Sequence, residues 1–542
     1  MKKQFLLICM LAASVFTTYA DKTIYVANAQ LGTKDGSSAA NACELNQIFG
    51  VKTPAVALDA TGTTTVYFDA SAEYSINADY SSAKDRACVL IPDNLTRRVI
   101  FEGNNAILKG TSTSLRMFRI GSLTNVELRN LTFKNGTHPS ALGGAIFFAG
   151  DSLKISGCTF DNNSSDNGGA IGSRGKYIKI SNSWFKNNFL LGSFQGGAIS
   201  HTGTTTGGAL IVENTTFSNN KGKDANAAYG TAIITAFDGT TRNYLSEISI
   251  TNCTFYQNNA GLNTTSGYAA VQLDFLGSSA PAGTVTTAKF INNTFYGNSD
   301  AAIRFWGKQQ ALTLINNVIV GDSYANTSVT GVQDHGLIAE FTVAEGRPAI
   351  VANNNYIVAK SPLSIKIDDA VLQSGNSNNN TIVAISSQAD IDALGLSTTL
   401  QVPATGAPYL AVASNSSPLV EGGLNVLSGI TLLPTDVRGV TRANGNTGSK
   451  YDIGAYEYNG FVTTNVPAVS DNFFTLRQTA GEISISANNK TISVNAYLPN
   501  GQSVYTRTTS NALTIRKAEL PKGVLIFIVK DGEKSVAQKV MN

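Results

Sequence analysis

The sequence predicts an all-β protein: a parallel β-helix solenoid with an N-terminal cap, followed by a small C-terminal antiparallel β-sandwich. Three observations point there. Charged residues make up only 14% of the 542, against roughly 25% in an average domain. Helix surfaces are usually covered by Glu, Lys and Arg, so a surface of Thr, Ser and Asn favours strands and turns. One eight-residue template (apolar, x, apolar, x, x, small, x, large apolar) recurs through the middle of the chain. Beyond the last copy, residues from about 471 alternate as antiparallel strands do. The 42% hydrophobic content excludes a highly charged disordered chain.

Residues 1–20 read as a secretory leader. Lys2 and Lys3 start it, Phe5 to Ala13 is apolar, and Thr18-Tyr19-Ala20 is a small-x-small cleavage site. That apolar run is too short to span a bilayer. The formal charge of +3 falls to +1 once Lys2 and Lys3 leave with the leader. Such a balance gives no pull toward nucleic acid or anionic membrane.

Residues 21–95 form the expected cap and first strands. Thr23-Ile24-Tyr25-Val26 is a strand, and Asn41 to Phe49, with Leu45, Ile48 and Phe49 apolar, suits a short amphipathic helix. A cap covers the open first coil and blocks edge-to-edge pairing. An exported chain forms disulfides, and Cys43 and Cys88, both in this segment, are the expected pair.

The β-helix is expected over 96–460. The template fits Val126-Leu128-Leu131-Phe133, Leu153-Ile155-Cys158-Phe160, Ile178-Ile180-Ser183-Phe185 and Leu210-Val212-Thr215-Phe217. It returns as Ile248-Ile250-Cys253-Phe255, Ala288-Phe290-Asn293-Phe295 and Leu312-Leu314-Asn317-Ile319. Looser copies are Val99-Phe101-Asn104-Ala106 and Ala349-Val351-Asn354-Tyr356. Period two within each half says strand, and the extra residue between halves says corner. Copies lie 24 to 40 residues apart, a coil length that suits stacked β-solenoid turns. The Phe column then stacks inside, and one coil is stable only against its neighbours. Cys158 and Cys253 share a column three coils apart, roughly 14 Å at ~4.8 Å per coil, too far for a disulfide. Both should be buried thiols. Asn293, Asn317 and Asn354 share that column and should form an inward amide ladder, because a buried amide needs partners.

Corners carry Asn, as in Asn162-Asn163, Asn187-Asn188, Asn219-Asn220 and Asn258-Asn259, because Asn tolerates the left-handed conformation. Gly-Gly pairs precede another strand at Gly143-Gly144-Ala145-Ile146, Gly168-Gly169-Ala170-Ile171, Gly196-Gly197-Ala198-Ile199 and Gly207-Gly208-Ala209-Leu210. The repeated Gly-Gly-Ala-Ile and Phe-x-x-Asn (Phe160–Asn163, Phe185–Asn188, Phe217–Asn220) resemble the polymorphic outer membrane proteins of chlamydiae. More broadly they resemble pectate-lyase-like proteins, which implies a right-handed parallel β-helix. Asp436-Val437-Arg438-Gly439, Arg442 and Asp452-Ile453-Gly454-Ala455-Tyr456-Glu457 resemble the closing motif of choice-of-anchor β-helix proteins. Read from the residues alone, Asp436, Arg438, Asp452 and Glu457 are an Arg–carboxylate network closing the last coils.

Residues 461–470 read as a linker and 471–542 as the sandwich. Tyr497-Leu498-Pro499-Asn500-Gly501, Leu520-Pro521-Lys522-Gly523 and Lys539-Val540 resemble the type IX secretion sorting domain of Bacteroidetes. That implies the type IX machinery as a partner, and release or attachment at the outer face of the outer membrane. An Ig-like binding module is the other reading.

Parallel β-helices often host polysaccharide lyases and hydrolases, which need a carboxylate pair or an acidic Ca²⁺ site with Arg or Lys. No such catalytic set stands out in this sequence. His138, His201 and His335 fall in unrelated coils. Asp161 to Asp166 is oxygen-rich; an ordinary coil turn is one reading and a Ca²⁺ loop, with Asp161 and Asp166 as ligands, the other. No other cofactor is expected. The lengthened coils place insertions near 221–245 and 260–287, with Tyr229, Phe237, Tyr244, Tyr268 and Phe275. Insertions in a solenoid project from one face, where these rings either stack on sugars or fold back as local cores. Adhesion or glycan binding by a monomer, to an extracellular glycan or a host or bacterial surface component, is therefore the expected function. A polysaccharide lyase or glycoside hydrolase is the alternative.

Overall fold

The computed structural model describes residues 21–49, 55–59, 62–70, 72–76, 87–95, 97–192, 195–222, 230–235, 244–258, 269–274, 286–298, 301–306, 310–321, 335–340, 349–363, 378–404, 406–442, 450–458, 469–471, 474–478, 482–487, 490–498, 502–521, 524–531 and 535–541. The leader and residues 461–468 of the expected linker lie outside this set, and Val469 and Ser470 belong to the strand Val469–Asp471 rather than to a linker.

The chain is a parallel β-helix. One face and its corner form a 20-stranded sheet and another face a ten-stranded sheet, all strands parallel to their counterparts one coil away. The register is the one the template requires. Leu153 pairs with Val126 and Ile178, and Phe160 with Phe133 and Phe185. Phe133, Phe160, Phe185, Phe217, Phe255 and Phe295 stack with ring centroids 4.5 to 5.0 Å apart. All are fully buried in one continuous core. The coil rise fixes the spacing of the rings, so aromatics stack here face to face rather than edge to face.

The corner between template halves is a column of left-handed residues. Asn130, Asn182, Asn214, Asn252, Asn292, Asn316 and Asn354 have φ between 47° and 54°. A second left-handed corner follows the large apolar residue; the residue after each of the two corners points inward, and two ladders form. In the first, the Asn163 amide donates to Phe133 O and to Asn188 Oδ1, and the Asn163 backbone N–H donates to the same Oδ1, each at 3.0 Å. The pattern continues through Asn188, Asn220, Asn258 and Asn298. Thus in three pairs the first Asn makes the turn (Asn162, Asn187 and Asn219, φ 54° to 57°) and the second is a buried rung, whereas at Asn258-Asn259 the turn is made by Gln257 (φ 50°) and the rung is Asn258. In the second ladder Asn293 donates to Asn317, Asn317 to Asn355, and Asn355 to Asn380. Ser183 and Thr215 hold the same column in earlier coils. The buried rung is Asn355, not Asn354, which turns the corner.

Three sequence expectations need correction. The last loose copy is one residue out: Ile350, Ala352, Asn355 and Ile357 align with Leu312, Leu314, Asn317 and Ile319. The first copy carries extra residues at its corner, so Ala106 and Leu108, not Asn104 and Ala106, match Leu131 and Phe133. Cys43 and Cys88 form no disulfide; both are buried thiols, as are Cys158 and Cys253. Cys43 sits beside Ile24 and Val56, whereas Cys88 belongs to the main core, so the two side chains fill different clusters. Burial pushes Cys158 and Cys253 up to about 12 and Cys43 up to about 11, which leaves them inert at neutral pH.

The Gly-Gly corners obey one rule at 143, 168 and 196. Gly168 has φ +65°, and a Cβ there would lie 2.1 Å from Ile171 O. Gly230-Thr231-Ala232-Ile233 is the fourth member of this corner, with Gly230 at φ +64°. Gly207-Gly208 stands elsewhere, ahead of the Ala209–Glu213 strand of the larger sheet.

At the N-terminal end Lys22–Val26 is the first strand of the larger sheet. Its open edge is covered by 36–43, which bonds back to Tyr25 and Ala27. The expected helix is shorter than the sequence suggested. It comprises a 3₁₀ turn, Ala39–Asn41, and an α-helix, Leu45–Phe49, with Phe49 5.5 Å from Phe101.

At the other end the chain turns back. From the helix Gln388–Asp392 to Tyr458 it forms a strap on the outside of earlier coils. Tyr256 Oη donates to Thr398 O (2.8 Å), Asn252 Nδ2 to Thr435 O (2.6 Å) and Asn354 Nδ2 to Gly422 O (2.7 Å). Asn316 exchanges hydrogen bonds with Leu424, and Thr216 Oγ1 donates to Pro408 O. Gly454, at φ +107°, lies so close that a Cβ would be 2.8 Å from Thr294 Oγ1. The strap is held by the Arg–carboxylate network read from the sequence. Arg442 is fully buried and donates to Gly454 O (2.8 Å), Asn252 Oδ1 (3.2 Å) and Glu457 Oε2 (3.2 Å). Arg438 pairs with Asp436 at 2.6 Å and lies 3.9 Å over the Tyr456 ring. Burial and then the Glu457 charge push the Asp452 carboxyl up to about 7.

The C-terminal module packs two four-stranded antiparallel sheets against each other. Phe474, Leu476, Ile483 and Ile485 of one meet Val494, Leu525 and Phe527 of the other in a separate core. It is the antiparallel sandwich that alternation predicts.

One polar group inside the helix has a measurable consequence. His201 is fully buried, and neither ring nitrogen makes a well-formed hydrogen bond among the described residues. Burial lowers it to about 4. The unfolded chain therefore binds a proton that the folded chain refuses between pH 6.5 and 4. Stability is whole above pH 6.5 and should fall by about 3 kcal/mol as pH drops to 4. Denaturant unfolding of wild type and His201→Leu over this range checks this. The variant should lose that part of the acid slope, and an unchanged slope would exclude His201 as its source.

Candidate functional site

A third, short sheet runs beside the coil corner. Thr137–Leu142, Ser164–Asn167 and Phe189–Leu190 are its three strands. Ser165 pairs with His138, but Asn167 pairs with Leu142. Pro139, Ser140 and Ala141 therefore stand opposite Asp166 alone. Pro139 lacks the N–H that a ladder needs, and Ser140 sits at φ +76°. A bulge re-aims side chains, and a non-glycine residue held there stores strain of the kind found at ligand sites.

The bulge forms one wall of a groove of about 430 Å³ lined by Arg116, Ser140, Leu142, Phe147, Asp166, Asn167 and Arg174. Its side chains come from successive coils. Arg116 begins the strand Arg116–Ile120, Phe147 lies on Ile146–Phe148, and Arg174 follows Ile171–Ser173. Arg116 is 5% exposed, with its guanidinium carbon 5.0 Å from the Phe147 ring centre. A desolvated cation over a ring is a strong form of that contact. Asn167 Oδ1 accepts from Gln195 N (3.0 Å), which fixes its amide. Asp166 is half-buried and Arg174 exposed. Arg116, Arg174 and Asp166 put charges of both signs on its wall. It offers donors, acceptors and one aromatic face, the mixture that polar ligands of moderate size require.

The expected site residues fall differently. Asp166 lines this groove. Asp161 does not: it lies on Thr159–Asp161 of the larger sheet, between Lys134 and Lys186 in register, with Lys186 Nζ at 3.6 Å. The pair is therefore not a joint Ca²⁺ site, because lysines flank one member. Among the described residues no three His, Cys, Asp or Glu side chains gather as metal ligands. Tyr244 is half-buried and folds back, bridging to Thr204 with its ring over Gly207. Tyr229, Phe237, Tyr268 and Phe275 lie outside the described residues. His138 is on the bulged strand, His201 is in the core, and His335 starts a late strand, so the three histidines do not meet. The sequence reading missed Arg116, Phe147, Asn167 and Arg174. The one signal near them was Pro139-Ser140 inside a strand.

No family model, no curated protein and no solved structure matches the chain.

Proposed function

We propose that this is an exported β-helix protein of the bacterial surface that binds glycans through the groove beside the bulged strand. The carrying observation is the groove: a half-buried Phe147, a fixed amide at Asn167, a carboxylate at Asp166 and two arginines converge on one recess. Sugars need this combination of a ring for their C–H faces and fixed polar groups for their hydroxyls. The leader-like residues 1–20 and the resemblance of 471–542 to a type IX sorting domain support export to the cell exterior. The Gly-Gly-Ala-Ile repeats support membership among outer-surface β-helices. Adhesion to a host or bacterial surface is the role such binding would serve.

Asp166 beside Arg174 supports a second reading, a polysaccharide lyase or glycoside hydrolase, since a carboxylate with a nearby cation can serve acid–base chemistry. A glycan panel assayed for retention and for new reducing or unsaturated ends separates the two. Retention without cleavage is the expected result. Ala141→Trp, which fills the recess from the bulge, should weaken retention at least tenfold. Cleavage would favour the enzyme, and undiminished binding by the filled variant would place the glycan site elsewhere.

A further inference from the structure

We infer that residues 424–433 form an apolar lobe on the strap that seats in the interface of a neutral lipid bilayer and moors the flank of the rod to it. The inference stands apart from the glycan-binding reading. Leu424, Val426, Leu427, Ile430, Leu432 and Leu433 fall within ten residues, and none of them is buried or belongs to a core cluster. Val426 is 75% exposed, the highest value for a large apolar side chain among the described residues. Gly429 turns the tip at φ +79°, and a Cβ there would meet nothing within 4 Å, so the tip stands in open space. Ile430 N donates to Leu427 O (3.1 Å) and closes the turn. The base is fixed to the rod: Leu424 exchanges hydrogen bonds with Asn316, and Thr435 O accepts from Asn252.

Size and charge decide the occupant. A stable protein interface takes about 20–30 residues a side, and this lobe is a single ten-residue turn. Its hydrogen-bonding side chains, Asn425, Ser428 and Thr431, are too few to fix the register of a protein partner. Residues 422–435 carry no charged side chain, so seating the tip takes no ion out of water. A contiguous exposed apolar patch marks an interaction site, and a bilayer accepts a convex one without a preformed pocket. Backbone groups that the turn leaves unpaired stay at headgroup depth, where water reaches them. Apolar area supplies the driving force, because a formal charge of +1 on the chain without residues 1–20 gives little electrostatic attraction.

The test uses the full chain after leader removal and vesicles of pure phosphatidylcholine, with partitioning read by flotation at two salt concentrations. Wild type should float with the vesicles equally at both, because no charge pair is there to be screened. Val426→Asp, on a side chain that no core uses, should lower partitioning at least tenfold, and Val426→Leu should keep it. Leu123→Asp, on an exposed apolar residue at the turn before Asn125–Lys134, controls for added surface charge and should change it less than twofold. A polarity-sensitive dye on Ser428→Cys, the four native thiols being buried, should shift to the blue on vesicles. Absence of flotation, loss of binding in high salt, an unshifted dye, or equal partitioning of Val426→Asp would overturn the inference. A wild-type dimer that Val426→Asp abolishes, without vesicle binding, would overturn it in favour of a second copy of the chain.

Discussion

Replacing Asn188 with Leu should destabilise the β-helix by about 4 kcal/mol, although the substitution keeps the site filled and apolar. Asn188 is fully buried. Its Oδ1 accepts from the backbone and the side chain of Asn163, and its Nδ2 donates to Phe160 O and Asn220 Oδ1. The change takes the acceptor away from two Asn163 donors and one donor away from Phe160 O where water cannot reach, while Asn220 Oδ1 keeps the Asn188 backbone N–H. Each orphan costs about 1–3 kcal/mol, partly offset by the extra apolar burial. Asn187, one residue earlier, is the control. Its φ of 57° suits glycine, and its amide donates at 3.1 Å to the half-buried Asp161 carboxylate, which also pairs with Lys186. Asn187→Gly should cost less than about 1 kcal/mol. Stacked coils need not unfold in one step, so amide exchange in the 153–220 coils is the appropriate measure. Equal protection in the two variants would mean that the ladder carries no weight.

Arg442→Met should cost about 3–5 kcal/mol, the scale for removing one partner of a buried ion pair. The guanidinium neutralises Glu457 and bonds the carbonyls of Thr435, Asp452 and Gly454. Without it, Glu457 and Asp452 face each other in a buried pocket where burial already works against the Asp452 charge. Exchange should accelerate in 388–458 and in the coils it covers, at Asn252 and Asn316, and stay unchanged near Phe133. Adding Glu457→Gln should recover part of the loss, since it removes the stranded charge. If the strap kept its protection in the single variant, the network would not be what holds it.

How much of this was legible in the sequence depended on phase. Where apolar and polar residues alternate, as at Leu153-Lys154-Ile155, the strand's inward face can be read directly. At Ala349-Ile350-Val351-Ala352 every position is apolar, so alternation cannot set the phase, and three consecutive Asn residues left the buried rung ambiguous. At Gly103-Asn104-Asn105 the corner takes extra residues that no fixed template accommodates. The closing network was readable because arginines and carboxylates are scarce here. The groove was not, because Arg116, Phe147, Asp166 and Arg174 belong to different coils and share no motif. Only stacking brings them together.

The strap also changes how the protein should carry load. A solenoid without one has strength set by its weakest junction, and tension along its axis would peel it turn by turn. Here the chain that leaves the last coil is riveted across coils as early as Thr216, so a pull from Tyr458 is delivered to the middle of the rod rather than to its end. The rivets are loaded in parallel, and the apolar seam of Val318, Val358, Leu419 and Ile453 shares the force. A tether attached beyond this point would meet a clamp rather than a zipper.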